Sequence, residues 1–351
     1  MASPSDGMNG VTNQGKVIYI TGGSSGIGLH LAEHLLSKGW CVAISARQAQ
    51  RGEEAARALD PTGNNVLFVK CDVTSYEQQA AAFLAVWQRW GRLDAFVANA
   101  GVTDSESRYN LVGRAEAKVE DVPREPDTAC LDTGLKAVVH GTVLAVHYMR
   151  HNSPAPGGEI LVTGSVFSVY PGPVFPEYAA AKAGSANWVR SMAPVLLGKD
   201  NITINEICPG PYNTNIMPDF DKAFLPEHHA TKEALLYSYL MFLEDSKHEQ
   251  TGNVVEVAHD KLIFHPPAPF LGGPASERIG QNHEPWFVGV HGEASGLPGA
   301  VLRNHTDEEV AASWKKVADN KAREGDIPPE ARIFRQRWHE AIPASTVSID
   351  V

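Results

Sequence analysis

Cysteine is scarce in this chain. There are four in 351 residues, Cys41, Cys71, Cys130 and Cys208, and none forms a CxxC pair. Three lie in apolar runs (CVAIS, FVKCDV, INEICPG), so the sequence predicts buried thiols rather than a disulfide framework. Basic charge is short as well: 30 Lys+Arg stand against 41 Asp+Glu, a formal net charge of −11. That excludes the broad basic face needed for nucleic acid or an anionic membrane. It leaves open a small-molecule pocket, where one arginine can outweigh the global balance. No stretch is expected to span a bilayer, and the polar start MASPSDGMNGVTNQGK has no signal core. The expectation is a cytosolic protein with a disordered tail over 1–14 and incidental sequons at Asn201 and Asn304. The 14 histidines include no HExxH or other compact ligand spacing, so no metal site is expected. There is no internal repeat and no heptad array.

What is present is an ordinary globular composition, 43% hydrophobic and 20% charged, with a regular alternation. VIYIT reads as a strand, a glycine cluster follows, and IGLHLAEHLLSKG has helical spacing. CVAISA, NVLFVKCDV and LDAFVANAG are further strands, separated by the helices RGEEAARAL and YEQQAAAFLAVWQRWG. After a looser, charged stretch (102–126) come a long helix within TACLDTGLKAVVHGTVLAVHYMRH, the strand GEILVTGS, the helix PEYAAAKAGSANWVRSMAPVLL and the strand ITINEICPG. NVVEVA near 253–258 is expected to be the last strand. Strands alternating with helices over short connections predict an α/β fold: a doubly wound, Rossmann-type parallel sheet with helices on both faces, over 15–265. Residues 266–351 read as a C-terminal extension. It is irregular through 266–305, then helical from the capping pattern Thr306-Asp307-Glu308-Glu309, with a second helix in PPEARIFRQRWHEAI.

The loop Thr21-Gly22-Gly23-Ser24-Ser25-Gly26-Ile27-Gly28 sits between the first strand and first helix. Glycines there serve a tight turn, close approach to a pyrophosphate and tight helix packing, and the helix N-terminus offers free N–H groups to phosphates. A ligand-free glycine turn is the competing reading. The end of the second strand selects the dinucleotide: NAD-binding folds place a carboxylate there for the ribose 2′-hydroxyl. This chain has Ser45-Ala46-Arg47, and Arg47 can pair with a 2′-phosphate, with Arg51 as a second contact. NADP(H) is therefore expected, against a solvated loop arginine. Asp72 and Val73 end the third strand, where adenine would lie.

Tyr178 and Lys182 are four apart on an expected helix and so share a face. A neighbouring ammonium lowers the pKa of a phenol, which makes Tyr178 a usable proton donor or acceptor. Ser165 ends the preceding strand, with its hydroxyl available to a substrate oxygen. Spacing alone is weak evidence, since Tyr and Lys at helical spacing are common.

Four motifs in order make the signal specific. The glycine loop resembles TGxxxGxG, Ala98-Asn99-Ala100-Gly101 resembles NNAG, Tyr178-Ala-Ala-Ala-Lys182 matches YxxxK, and Pro209-Gly210 follows the sixth strand. Over about residues 15–260 the chain resembles the short-chain dehydrogenase/reductase family. Its texture is similar to the prostaglandin-dehydrogenase-like branch (LKAVVHGTVLAVHYM, INEICPGPYNTNI). The resemblance implies hydride transfer between a nicotinamide and a carbonyl or alcohol carbon. Tyr178 would move the proton, Lys182 would lower its pKa and bind the nicotinamide ribose, and Ser165 would polarise the substrate oxygen. Cofactor contacts would come from Gly22, Ser24, Ser25, Gly26, Ile27, Gly28, Arg47, Asp72, Val73, Asn99, Ala100, Gly101, Tyr178, Lys182, Pro209, Gly210, Tyr212 and Thr214. It also implies a homodimer or homotetramer through the small-residue helix of Tyr178.

Two departures stand out. Thr133-Gly134-Leu135 occupies the place of the family's VNL-like asparagine, which kinks its helix and anchors a water; glycine tolerates such a kink but offers no side chain. The long extension is not a family requirement. Segment 215–240 is expected to form a substrate lid. Met217, Phe220, Phe224 and Leu225, with Phe167, Tyr170 and Phe175, suggest an apolar pocket for a bulky lipophilic or aromatic small molecule, against ordinary core packing. Two rivals remain: an NADP-binding scaffold without turnover, and an isomerase or cyclase using the same pocket.

Overall fold

The computed structural model describes residues 15–109, 111–214, 216, 220–245, 247–281, 283–284, 286–297 and 347–350. The tail over 1–14, the sequon at Asn304 and the two helices expected after Thr306 lie outside the described residues. Two compact units are present, and each is described in turn.

The first comprises residues 1–163, 173–178 and 213–223. Its strands are β1 (Val17–Thr21), β2 (Cys41–Ala46), β3 (Val66–Lys70), β4 (Ala95–Ala98) and β5 (Gly158–Thr163). They pair in parallel in the order β3-β2-β1-β4-β5, the order of a Rossmann-type doubly wound sheet. Every residue of β1, β4 and β5 is buried, as expected of strands covered on both faces.

The helices are α1 (Gly26–Ser37), α2 (Ala49–Leu59), α3 (Tyr76–Trp90), the short α4 (Ala129–Leu131) and α5 (Ala137–Met149). α3 starts where the Ser75 hydroxyl accepts from the Gln78 N–H, and ends at Gly91 in the left-handed conformation. The sheet core holds an aromatic trio. Tyr19 meets Phe83 edge-on at 4.9 Å between ring centroids, and Phe83 lies 5.0 Å from Phe96. The buried Tyr19 hydroxyl is satisfied by donating to Ser45 Oγ at 2.9 Å.

Between α4 and α5 the chain makes a π-helical turn, Asp132–Lys136, which contains Gly134. The whole run Ala129–Met149 is long and apolar enough by length and composition to cross a membrane, contrary to the expectation that no stretch would be. The physical reason for its apolarity here is core packing: Ala137, Val138, Gly141, Leu144, Ala145 and Met149 are buried in the protein. At Gly141 a Cβ would come within 2.6 Å of the Phe96 ring.

The second unit comprises 164–172, 179–212 and 224–351. It holds most of α6 (Pro176–Asp200), then β6 (Ile202–Pro209), α7 (Lys232–Leu243) and β7 (Val254–Ala258). β6 and β7 are parallel. The expectation that β7 is the last strand is corrected. β8 (Lys261–His265) folds back antiparallel on β7, and β9 (Val347–Asp350) adds antiparallel to β8. Ala258 faces Lys261 across a two-residue turn in which His259 takes a positive φ of 57°, a turn that no glycine or asparagine signals. The expectation of an irregular 266–305 is likewise corrected, because α8 (Pro274–Gln281) and α9 (Trp286–His291) form within it. Pro274 opens α8, where a missing N–H costs nothing.

Candidate active site

In the first unit, the crevice lies where strand order reverses, between the carboxyl ends of β1 and β4. Thr21 ends β1 and fastens the two strands together. Its hydroxyl oxygen accepts from the N–H groups of Asn99 (3.0 Å) and Ala100 (3.1 Å). The Asn99 amide donates to the Thr21 carbonyl at 2.9 Å, and the Thr163 hydroxyl donates to Asn99 Oδ1 at 3.2 Å. Asn99 thus ties the ends of β1, β4 and β5.

The glycine loop packs against this knot. Gly22 has φ +67°, and a Cβ there would lie 3.0 Å from Ala100 Cα. At Gly28 a Cβ would lie 2.7 Å from the Asn99 amide nitrogen. Only glycine permits both the backbone and the approach. Thr214 lies over the same loop, 3.1 Å from where a Cβ of Gly26 would be. Ser25 precedes α1 without a side-chain cap bond, and the first turn of α1 carries no acidic residue. A helix N-terminus with unspent donors and no competing carboxylate suits a phosphate. These residues fit a dinucleotide.

Arg47 is exposed immediately after β2. Asp72 uses its side chain locally: Thr74 donates to Oδ1 from its N–H (3.0 Å) and its hydroxyl (2.8 Å). Those bonds hold the Asp72 carboxyl below its ordinary range, and the Arg47 guanidinium adds to the effect.

Tyr178 is half-buried on the first turn of α6. That turn is capped from the loop over 102–126. Asp104 accepts from the N–H groups of Glu177 (3.1 Å) and Tyr178 (2.7 Å). Arg108 pairs with the Glu177 carboxylate and donates to the Asp127 carbonyl. Asp104 and Arg108 thus anchor the helix start from this looser stretch. Neither Asp104 nor Arg108 was expected from the sequence, and no local pattern marks them.

In the second unit, Ser165 is buried and precedes a 3-10 turn, Val166–Ser168. Its hydroxyl accepts from the Phe167 N–H at 3.3 Å, and its own N–H donates to Ser168 Oγ at 3.1 Å. Ser168 in turn donates to Glu206 Oε1 at 2.5 Å. Lys182 is 3% exposed, unusual for a lysine, and interacts electrostatically with Glu206. Burial pushes the fully enclosed Glu206 carboxyl up to about 7, while Ser168 and Lys182 act in the opposite direction. The sequence reading missed Glu206, although a glutamate inside the apolar run ITINEICPG is itself a signal.

Pro209 ends β6, and the Gly210 N–H donates to the Val257 carbonyl at 2.9 Å. Tyr212 is half-buried. Of the expected pocket residues, Tyr170 is 47% exposed with its hydroxyl on Glu256, and Leu225 is 55% exposed. Met217 and the side chain of Phe220 lie outside the described residues.

A parallel sheet of this order, with a glycine loop at its switch point, defines a dinucleotide-binding α/β protein. The family model for the short chain dehydrogenases matches residues 16–223. The chain is 42% identical over 279 residues to short-chain dehydrogenase/reductase prx6 of Penicillium rubens, covering 79% of this chain and 92% of that protein. It is 32% identical over 211 residues to the human 15-hydroxyprostaglandin dehydrogenase (NAD(+)), covering 59% and 72%. The crystal structure of a short-chain type dehydrogenase/reductase from Mycobacterium marinum matches the fold with a TM-score of 0.60 at 24% identity, covering 70% of this chain and 94% of that one. The chain belongs to the short-chain dehydrogenase/reductase family. It is an oxidoreductase on a Rossmann-type α/β fold, of a family that binds a nicotinamide dinucleotide.

Proposed function

We propose that this protein is an NADP(H)-dependent oxidoreductase that interconverts a carbonyl and an alcohol on a bulky, lipophilic or aromatic small molecule. The observation that carries the reading is the arginine, in place of a carboxylate, at the end of β2. Arg47 would hold the 2′-phosphate, the loop over 22–28 and the start of α1 the pyrophosphate, and Asn99 and Thr214 the nicotinamide end. The cofactor, when bound, supplies or accepts the hydride.

The chain's own residues handle the proton. Tyr178 gives a proton to the developing alkoxide in reduction and takes it back in oxidation. The positive charge of Lys182, one turn further along α6, stabilises the phenolate and so brings its pKa toward the working range. Ser165 donates a hydrogen bond to the substrate oxygen, where negative charge builds in the transition state. Its backbone is held by Ser168, which keeps the hydroxyl from wandering. The location in this reading is the cytosol. The assembly is a homodimer or homotetramer through α6, on which Ala180 and Ala183 are exposed.

A second reading, NAD(H) dependence, draws support from relatives named for NAD(+) and from the Asp72 carboxylate, with which Arg47 interacts electrostatically. One experiment separates the two. Purified protein is given NADPH or NADH with a panel of aromatic and aliphatic ketones and aldehydes, and nicotinamide absorbance is followed. Preference for NADPH, with turnover abolished in Tyr178→Phe, is expected. Equal use of NADH would overturn the cofactor assignment. Turnover surviving in Tyr178→Phe would overturn the mechanism.

A further inference from the structure

Glu206 sits at the centre of β6, where every residue is buried. A carboxyl group in such a place costs several kcal/mol unless its surroundings compensate. The compensation comes from two directions. From the turn after Ser165, the Ser168 hydroxyl donates to Oε1 at 2.5 Å. From α6, the Lys182 ammonium and the Ser185 hydroxyl act on the same carboxyl. The Ser185 hydroxyl donates to the Lys182 carbonyl at 2.8 Å. Cys208, on the same strand face, lies 3.6 Å from Oε1. The backbone makes room for the group: at Gly164, next to Ser165, a Cβ would stand 2.2 Å from Oε1. Glu206 Oε2 is buried with no hydrogen-bond partner among the described residues.

We propose that Glu206 is a positioning residue of the reaction: its buried carboxyl group couples the turn carrying Ser165 to the segment of α6 carrying Lys182, and holds hydroxyl and ammonium in register. The proposal rests on the assignment of Ser165, Tyr178 and Lys182 given above. One arm runs from Glu206 through Ser168 to the Ser165 N–H, and the other through Lys182 itself. The free oxygen leaves the carboxyl able to carry a proton, and burial favours that neutral form up to about 7. The charged or titratable groups that act on it are Lys182 and Arg190 on α6 and Cys208 on its own strand; on β7, opposite Cys208, stands Glu256, which is paired with His265. Among them, Lys182 is the one placed in the proton chemistry. Ionising Glu206 sets a negative charge beside the lysine and weakens its pull on the tyrosine proton. Activity should therefore respond to this carboxyl near neutral pH.

The test uses the full chain and four variants: Glu206→Gln, Glu206→Asp, Ser168→Ala and Tyr178→Phe. NADPH-linked reduction of the best ketone from the panel above gives kcat and KM across pH. Infrared difference spectra between acid and neutral pH follow the carboxyl band. Glu206→Gln is expected to lower kcat on the order of tenfold with KM nearly unchanged, and to erase the limb of the pH profile near about 7. Glu206→Asp should recover part of the rate. Ser168→Ala should lose rate while keeping a pH limb, moved to higher pH because the hydroxyl that favours the ionised form is gone. The infrared band should titrate near about 7 in the wild type and be missing in Glu206→Gln, a reading that needs no turnover. A wild-type kcat and wild-type pH profile in Glu206→Gln would overturn the proposal. If that variant does not fold, a wild-type rate in Ser168→Ala overturns it equally, as does an infrared band titrating in the ordinary carboxylate range. Activity retained in Tyr178→Phe overturns the underlying mechanism instead, which keeps the two failures apart.

Discussion

Asp104 accepts a hydrogen bond from the backbone N–H of Tyr178 at 2.7 Å, so a loop residue far back in the chain fixes the start of the helix that carries the proposed proton donor. The same carboxylate takes the neighbouring N–H of Glu177. Two of the backbone donors left over at the start of α6, where Pro176 has no N–H, are thereby satisfied by one side chain. Asp104→Ala should lower stability by about 1 kcal/mol, the usual worth of a helix cap. It should also lower kcat, because the frayed turn is the one bearing Tyr178. Asp104→Asn keeps an acceptor and should lie between. Thermal melts and steady-state rates check this, and an unchanged rate in a destabilised Asp104→Ala would separate capping from function.

Arg47 bears on cofactor choice. A charge-assisted bond to a 2′-phosphate contributes about 1.5–3 kcal/mol, or one to two decades of affinity. Arg47→Ala should raise the KM for NADPH by roughly that factor and leave the KM for NADH where it was. Equal effects on both would mean that Arg47 serves the loop and not the phosphate.

Stability should fall as pH rises toward and through neutrality. Glu206 holds its proton up to about 7, against an ordinary value of 4.5, chiefly because burial disfavours its charge. Between those two values the folded chain binds more protons than the unfolded one, so the benefit is complete below the lower value and gone above the higher. The full window is worth about 3 kcal/mol. Glu206→Gln should flatten this part of the melting-temperature curve. Parallel curves for variant and wild type would show that some other group sets the slope.

Gly164 and Glu206 should fail and recover together. A methyl group at Gly164 would sit 2.2 Å from Glu206 Oε1, far inside contact distance. Gly164→Ala alone should destabilise by about 1–3 kcal/mol, the usual cost of overpacking. Adding Glu206→Ala should restore much of the loss, giving a favourable interaction term in the double-mutant cycle. Simple additivity of the two losses would contradict the steric account.

The parallel strands of the fold were legible because β1, β4 and β5 are short, mostly apolar runs set between helical periods. β8 was not, because its turn uses His259 and Asp260 rather than a glycine or asparagine pair. α8 and α9 are short pieces inside a Pro- and Gly-rich stretch, where composition masks period. The motif residues of the site were legible through spacing along the chain. Asp104 and Ser168 were not, because their work depends on partners 74 and 38 residues away. Glu206 stood in plain view as a charge in an apolar strand, but its partners appear only when α6 and the Ser165 turn are brought to it.

The π-helical turn at Asp132–Lys136 also changes how this helix is compared with its relatives. A π-turn accommodates one residue more than the α-helix it interrupts. A residue-for-residue match to a regular helix therefore slips by one place on one side of the turn, and Gly134 lies inside the slip. Gly134 therefore sits buried within a widened turn, with no side chain to fill it. The lineage of this helix is better read by its buried face, Thr133, Ala137 and Val138, than by its sequence register.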